Sequence, residues 1–243
     1  MDGQRTPCVI GVLGGMSSAS TSLYYRKLNE LTRRRLGGLH SCDCLVRSID
    51  FAVVEDMQAR GEWDAAGAFL AKAAAQLQAG GAEILILATN TMHKVAPAIR
   101  AAITIPLLHL ADATASRIAA QGLKRPGLMA TAYTMEQDFY IDRLKAASLD
   151  VVVPDSDDRA SCHRIIFEEL CKDIIEDDSR IIFEGIAARL VERGADCLIL
   201  GCTEVGMLLR VPEQVSVPMF DTTLIHCEAA VEAAFAAVPP PVT

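Results

Sequence analysis

The sequence predicts an α/β protein built from two pseudo-symmetric lobes, each a parallel sheet flanked by helices. Three observations carry that prediction. First, Gly81-Ala82-Glu83-Ile84-Leu85-Ile86-Leu87-Ala88-Thr89-Asn90-Thr91 and Gly194-Ala195-Asp196-Cys197-Leu198-Ile199-Leu200-Gly201-Cys202-Thr203-Glu204 align without a gap at an offset of 113 residues. Each copy is a helix-stopping glycine, a small residue, an acid and a short apolar run, the pattern of a buried parallel strand. Second, an Ala-rich helical pattern runs into each copy, over residues 64–77 and 179–191. Third, the stretch from Ile105 to Thr114 resembles the stretch from Val217 to Thr223. Three features repeated in one order read as an internal duplication. Residues 1–112 with 221–243 are expected to form the first lobe, and residues 113–220 the second.

The elements follow in order. Residues 8–13 form a buried first strand, and Gly14-Gly15-Met16-Ser17-Ser18 is the loop after it. A helix over 21–36 is stopped by Gly37-Gly38. The loop does not fit G-x-G-x-x-G, and no Walker lysine and serine follow. Its glycines still suit close approach of backbone to a ligand, and a helix N-terminus favours an anion. Residues 41–51 alternate as a second strand, with Cys42 and Cys44 on one face and Asp50-Phe51 closing it. A helix over 64–78 leads to the first copy, and Pro97 falls in the first turn of the next helix, where proline is tolerated.

The pattern then restarts. A helix is expected over 114–121 and a strand over 126–131, with Thr131 and Thr134 in the loop that corresponds to Gly14–Ser18. A helix over 139–147, a strand over 151–153, a polar turn over 154–158 and helices over 165–175 and 179–191 lead to the second copy. A last helix over 225–237 should return to the first half, and the Pro239-Pro240-Pro241 tail is expected to be loose.

Bulk properties narrow the function classes. A net charge of −8 without a dominant basic patch argues against nucleic acid, and Arg33-Arg34-Arg35 reads as a solvated helix face. No apolar stretch is long enough to cross a membrane, and the N-terminus does not read as a signal peptide. Eight cysteines without metal-ligand spacing point to a reducing, cytoplasmic setting and to no bound metal.

Ligands of open parallel sheets sit at the carboxyl ends of the strands, so Thr89 and Cys202 emerge as side chains at equivalent points of two halves. A substrate carbon between them could lose a proton on one face and gain one on the other. A cysteine can cycle its proton near neutral pH, whereas a threonine hydroxyl hardly ionises and suits proton delivery or relay.

Gly-Gly-Met-Ser near the N-terminus, Asn90-Thr91-Met92-His93 and Gly201-Cys202-Thr203-Glu204 together resemble the aspartate/glutamate racemase family, over essentially the whole chain. That resemblance implies two pseudo-symmetric α/β lobes with the active site in the cleft between them. It implies racemisation of an acidic amino acid without pyridoxal phosphate, other cofactor or metal, in a homodimer. The family usually starts each motif with cysteine, and this chain has Thr89 at the first. By the resemblance, Cys202 takes the α-proton of the L-enantiomer and Thr89 serves the opposite face. Asn90, Thr91, Thr131 and Thr203 fall at substrate-binding positions, as do Met16 and Ser17 in the glycine loop. Ser18 and Ala19 replace a common Trp-Glu, Ala130 stands where glycine is common, and His226 could support a catalytic group. His93 and His109 read as structural, and Glu204 as a helix-start residue.

Two alternatives remain open on the residues. One keeps the fold and uses a single cysteine for decarboxylation of a malonate or cis-trans isomerisation of maleate. The other is a non-catalytic binder of acidic amino acids.

Overall fold

A computed structural model describes residues 7–209 and 215–236. The chain divides into two compact units. Unit 1 holds the described residues up to Ala88, then 95–109 and those from His226 onward; unit 2 holds Thr89–Lys94 and Leu110–Ile225. The prolines at 239–241 lie outside the described residues.

Unit 1 contains β1 (Ile10–Gly14), α1 (Ser18–Leu36), β2 (Cys44–Ser48), α2 (Phe51–Ala59), α3 (Trp63–Ala79), β3 (Ile84–Leu87), α4 (Ala96–Ala101) and β4 (Leu107–Leu108). Its sheet is parallel throughout, in the order β2-β1-β3-β4. Ile84, Leu85, Ile86 and Leu87 are all buried, as the unbroken apolar run requires. Such a side chain contributes roughly 1.5–3 kcal/mol when fully buried.

Unit 2 contains α5 (Leu110–Ala120), β5 (Pro126–Met129), α6 (Ala132–Glu136), α7 (Asp138–Ala146), α8 (Ser156–Glu168), α9 (Asp177–Glu192), β6 (Cys197–Leu200), α10 (Val205–Leu208) and β7 (Met219–Asp221). Its sheet is parallel in the order β5-β6-β7, and Val152 adds a single parallel bridge to Gly127. The last helix, α11 (Thr222–Ala236), starts in unit 2 and continues in unit 1.

The repeated acid has the same job in both copies. Glu83 accepts a hydrogen bond from the Val9 amide at 2.8 Å, just before β1. Asp196 accepts from the Lys124 and Arg125 amides at 2.8 and 3.0 Å, just before β5. Each carboxylate ties its own strand to the start of the strand beside it. The glycines two residues earlier, Gly81 and Gly194, both have positive φ (105° and 91°), the conformation that ends a helix and favours glycine.

Several elements differ from the sequence expectation. The second strand is shorter than 41–51, because Asp50 accepts from the Ala52 amide at 3.1 Å and starts α2. The turn expected at 154–158 is instead the start of α8: Asp155 caps it at 3.0 Å, and Asp157 and Asp158 fill its first turn, where acids are favoured. The strand expected at 151–153 reduces to the Val152 bridge. The six residues Thr89–Lys94, expected with the first lobe, cluster with unit 2 because their side chains bond to unit 2 groups.

Candidate active site

The chain leaves β3 through Ala88 and enters unit 2 at Thr89, which is buried. His93 Nδ1 lies 2.8 Å from the Thr89 carbonyl, while its Nε2 accepts from the Leu110 amide at 3.2 Å. An acceptor Nε2 places the ring proton on Nδ1, so a neutral His93 pins the Thr89 backbone. The next residue, Asn90, donates from Nδ2 to Thr222 Oγ1 at 3.3 Å. Thr222 spends its own proton on the Leu200 carbonyl at 2.8 Å, at the end of β6. That chain orients the Asn90 amide and leaves Oδ1 as a buried acceptor without a hydrogen-bond partner among the described residues. Such an acceptor suits a substrate donor such as an ammonium.

Thr91, Thr131 and Thr134 bring three buried hydroxyls together, at 3.0 Å (91–131), 3.3 Å (91–134) and 3.2 Å (131–134). Thr131 also caps α6. Thr131 and Thr134 were expected in one loop, but Thr134 was not among the candidate substrate-binding residues; its amide donates to Thr131 Oγ1 at 3.4 Å.

At the end of β6 the half-buried Cys202 donates its thiol to Glu204 Oε2 at 3.0 Å. The Thr203 hydroxyl donates to the same oxygen. Burial and the Glu204 charge, with a smaller push from Cys171, raise the Cys202 thiol well above the ordinary range. Glu204 stands at the start of α10, as expected, but makes no side-chain capping bond there and turns its carboxylate to the thiol. Gly201 is needed for packing: a Cβ there would sit 2.8 Å from Leu128 Cδ1 and 2.9 Å from Ala130 Cβ.

The remaining site candidates belong to unit 1. Met16 and Ser17 are buried, and Ser17 caps α1 by accepting from the Ser20 amide at 3.1 Å. The glycines of this loop serve the protein's own packing. A Cβ on Gly15 (φ 95°) would fall 2.1 Å from the Ile49 carbonyl oxygen, and one on Gly14 would strike Thr21. His226 is fully buried, with Nδ1 2.9 Å from the Tyr24 hydroxyl and Nε2 3.0 Å from the Leu108 carbonyl. Burial pushes its pKa down to about 4, against a weaker upward pull from Leu108. Both ring nitrogens are engaged by unit 1 itself. Cys42 and Cys44 pack against the unit 1 core. Among the described residues no group of three or more His, Cys, Asp or Glu side chains could hold a metal ion, and no helix is long and apolar enough to cross a membrane.

Residues 13–230 match the Asp/Glu/hydantoin racemase family, and the chain belongs to it. It is thus an isomerase, of the amino-acid racemase class. A candidate Asp/Glu racemase from Yersinia pestis is 46% identical, with a TM-score of 0.86, over 93% of this chain and 99% of that one. An aspartate racemase homologue from Pyrococcus horikoshii OT3 is 33% identical, with a TM-score of 0.79, over 93% of this chain and 98% of that one. The aspartate racemase of Picrophilus torridus, at 21% identity and a TM-score of 0.75 over 93% and 94% of the two chains, shares the fold.

Proposed function

We propose that the protein racemises aspartate, glutamate or both without a cofactor, by proton abstraction and return at Cα. The observation that carries this reading is the Cys202 thiol at the end of β6, tied through Leu200, Thr222 and Asn90 to the segment that bears Thr89. One ionisable thiol and one hydroxyl then share a constellation rich in hydroxyl groups. In this reading Cys202 removes the α-proton of the L-acid and Thr89 delivers or relays a proton on the other face. Asn90 Oδ1 accepts from the substrate ammonium, and the hydroxyls of Thr91, Thr131 and Thr203 meet its carboxylates. Met16 and Ser17 complete the binding residues. The family resemblance adds a homodimer in the cytoplasm.

The test is to incubate the purified protein with L-aspartate and with L-glutamate in D₂O, without added cofactor, and follow the α-proton by NMR. Loss of that signal with growth of the D-form supports the proposal. No exchange with either acid would remove it and turn attention to malonates and maleate, where a single thiol suffices.

A further inference from the structure

The thiol of Cys202 is a poor base as it stands. The side chain is half-buried, and the nearest charged side chain, Glu204, is negative. Release of its proton to solvent would leave a thiolate 3.0 Å from the buried Glu204 carboxylate, two like charges side by side. The geometry offers another destination. Glu204 Oε2 lies 3.0 Å from Sγ and also accepts from Thr203, so the carboxylate is held by two donors on one oxygen. Glu204 is only 2% exposed and spends no bond on capping α10.

We propose that Glu204 is a positioning residue for Cys202, its carboxylate aligning the thiol and taking its proton as the thiolate forms. The inference rests on the racemase reading and deepens it. In the step the Sγ–H bond breaks, an Oε2–H bond forms, and the electron pair stays on sulfur; nothing is oxidised or reduced. The pair keeps one negative charge throughout, so ionisation of the thiol adds no second buried anion. The thiolate can then take the substrate α-proton. Cys171 is the other ionisable group felt by Cys202, and burial pushes its own thiol up to about 12, which keeps it neutral. The matched position of the first copy is Thr91, so Thr89 has no equivalent carboxylate after it.

The experiment compares wild type, Glu204→Gln and Glu204→Asp in two readouts. One is the pH dependence of iodoacetamide alkylation, followed at the Cys202 peptide by mass spectrometry. The other is α-proton exchange from L-aspartate and L-glutamate in D₂O. Removal of the neighbouring charge should lower the alkylation midpoint of Glu204→Gln by about one pH unit or more. The same variant should nonetheless lose about tenfold or more in kcat for exchange, with KM changed by less than about threefold. Glu204→Asp, which retains a carboxylate, should recover part of kcat. A thiol that ionises more easily and yet turns over more slowly is not the signature of a merely structural side chain. Exchange by Glu204→Gln within twofold of wild type, or an unmoved midpoint, would overturn the proposal. Should Glu204→Gln fail to fold, a wild-type Cys202 midpoint within the ordinary thiol range would overturn it as well. A wild type inert toward both acids whose midpoint still shifts in Glu204→Gln would sink the substrate reading and uphold the pairing.

Discussion

The two strand ends align residue for residue in sequence and differ in chemistry. After β3 the chain continues Thr89-Asn90-Thr91 into a 3-10 turn over Thr91–Val95, with neutral partners: His93 on the Thr89 carbonyl, Thr222 on Asn90, Thr131 and Thr134 on Thr91. After β6 it continues Cys202-Thr203-Glu204, where a buried carboxylate gathers the thiol and a hydroxyl. One end carries neutral hydrogen-bonding groups, the other a thiol beside a buried carboxylate. A duplicated backbone thus supplies two equivalent positions, and a few side chains make them unequal.

The largest effect should come from deletion of the thiol proposed as the base. Cys202→Ala is expected to lower α-proton exchange from the L-acids by about a thousandfold or more, measured by NMR in D₂O. Residual exchange near the wild-type rate would refute the contrast at its root. Thr89→Ala should be milder for exchange and severe for inversion: L-substrate still loses its proton, while D-product falls about a hundredfold. Because enantiomers have equal free energies, kcat/KM must match in the two directions. The inequality of the two ends therefore appears as matched differences in kcat and KM, with the L-acid having the larger of both. Thr89→Cys should bring the two sets of values together; a persistent difference would locate the asymmetry elsewhere.

Smaller effects separate charge that serves chemistry from charge that serves the fold. His226 is neutral in the folded protein down to about pH 4, whereas an unfolded histidine takes up its proton near 6.5. The unfolded chain binds more protons in that window, so stability falls as pH drops from 6.5 to about 4, by roughly 3 kcal/mol from this residue. Thermal melts across that range should show the loss, and His226→Gln should flatten the slope; an unchanged slope would contradict the assignment. The smallest contrast concerns Ala88 and Gly201, which align between the copies. Gly201→Ala forces a methyl against Leu128 and Ala130 and should cost about 1–3 kcal/mol. Ala88→Gly only loses a buried methyl and adds backbone freedom, about 1 kcal/mol. Equal melting temperatures for the pair would show that the two strand ends are packed alike.

Much of this architecture was legible in the sequence. The gapless alignment placed β3 and β6 in register, because a buried parallel strand needs an uninterrupted apolar run and its neighbours need turn signals. The acids at 83 and 196 were visible as part of the repeat, and the structure supplies their purpose in the amides they accept. The starts of α2 and α8 were missed for one local reason. Asp50 ended an alternating stretch and Asp155 sat in a polar one, so cap residues were read as strand edge and turn.

What the sequence by itself determined was the class of fold and the family, and it offered positions 89 and 202 as the paired strand-end candidates. Those features depend on local periodicity and on short motifs. The tertiary structure alone decided which neighbours those positions have. Asn90 is oriented by Thr222, a residue 132 positions away, and Thr91 by Thr131 and Thr134, 40 and 43 positions away. The glycines after β1, which suited close approach to a ligand, proved to make room for Thr21 and Ile49. Glu204 lies two residues from Cys202, yet only side-chain geometry shows that its carboxylate turns to the thiol rather than to the helix it precedes. Hydrogen bonds are directional and short-ranged, so their partners follow from the folded path of the chain and not from spacing along it.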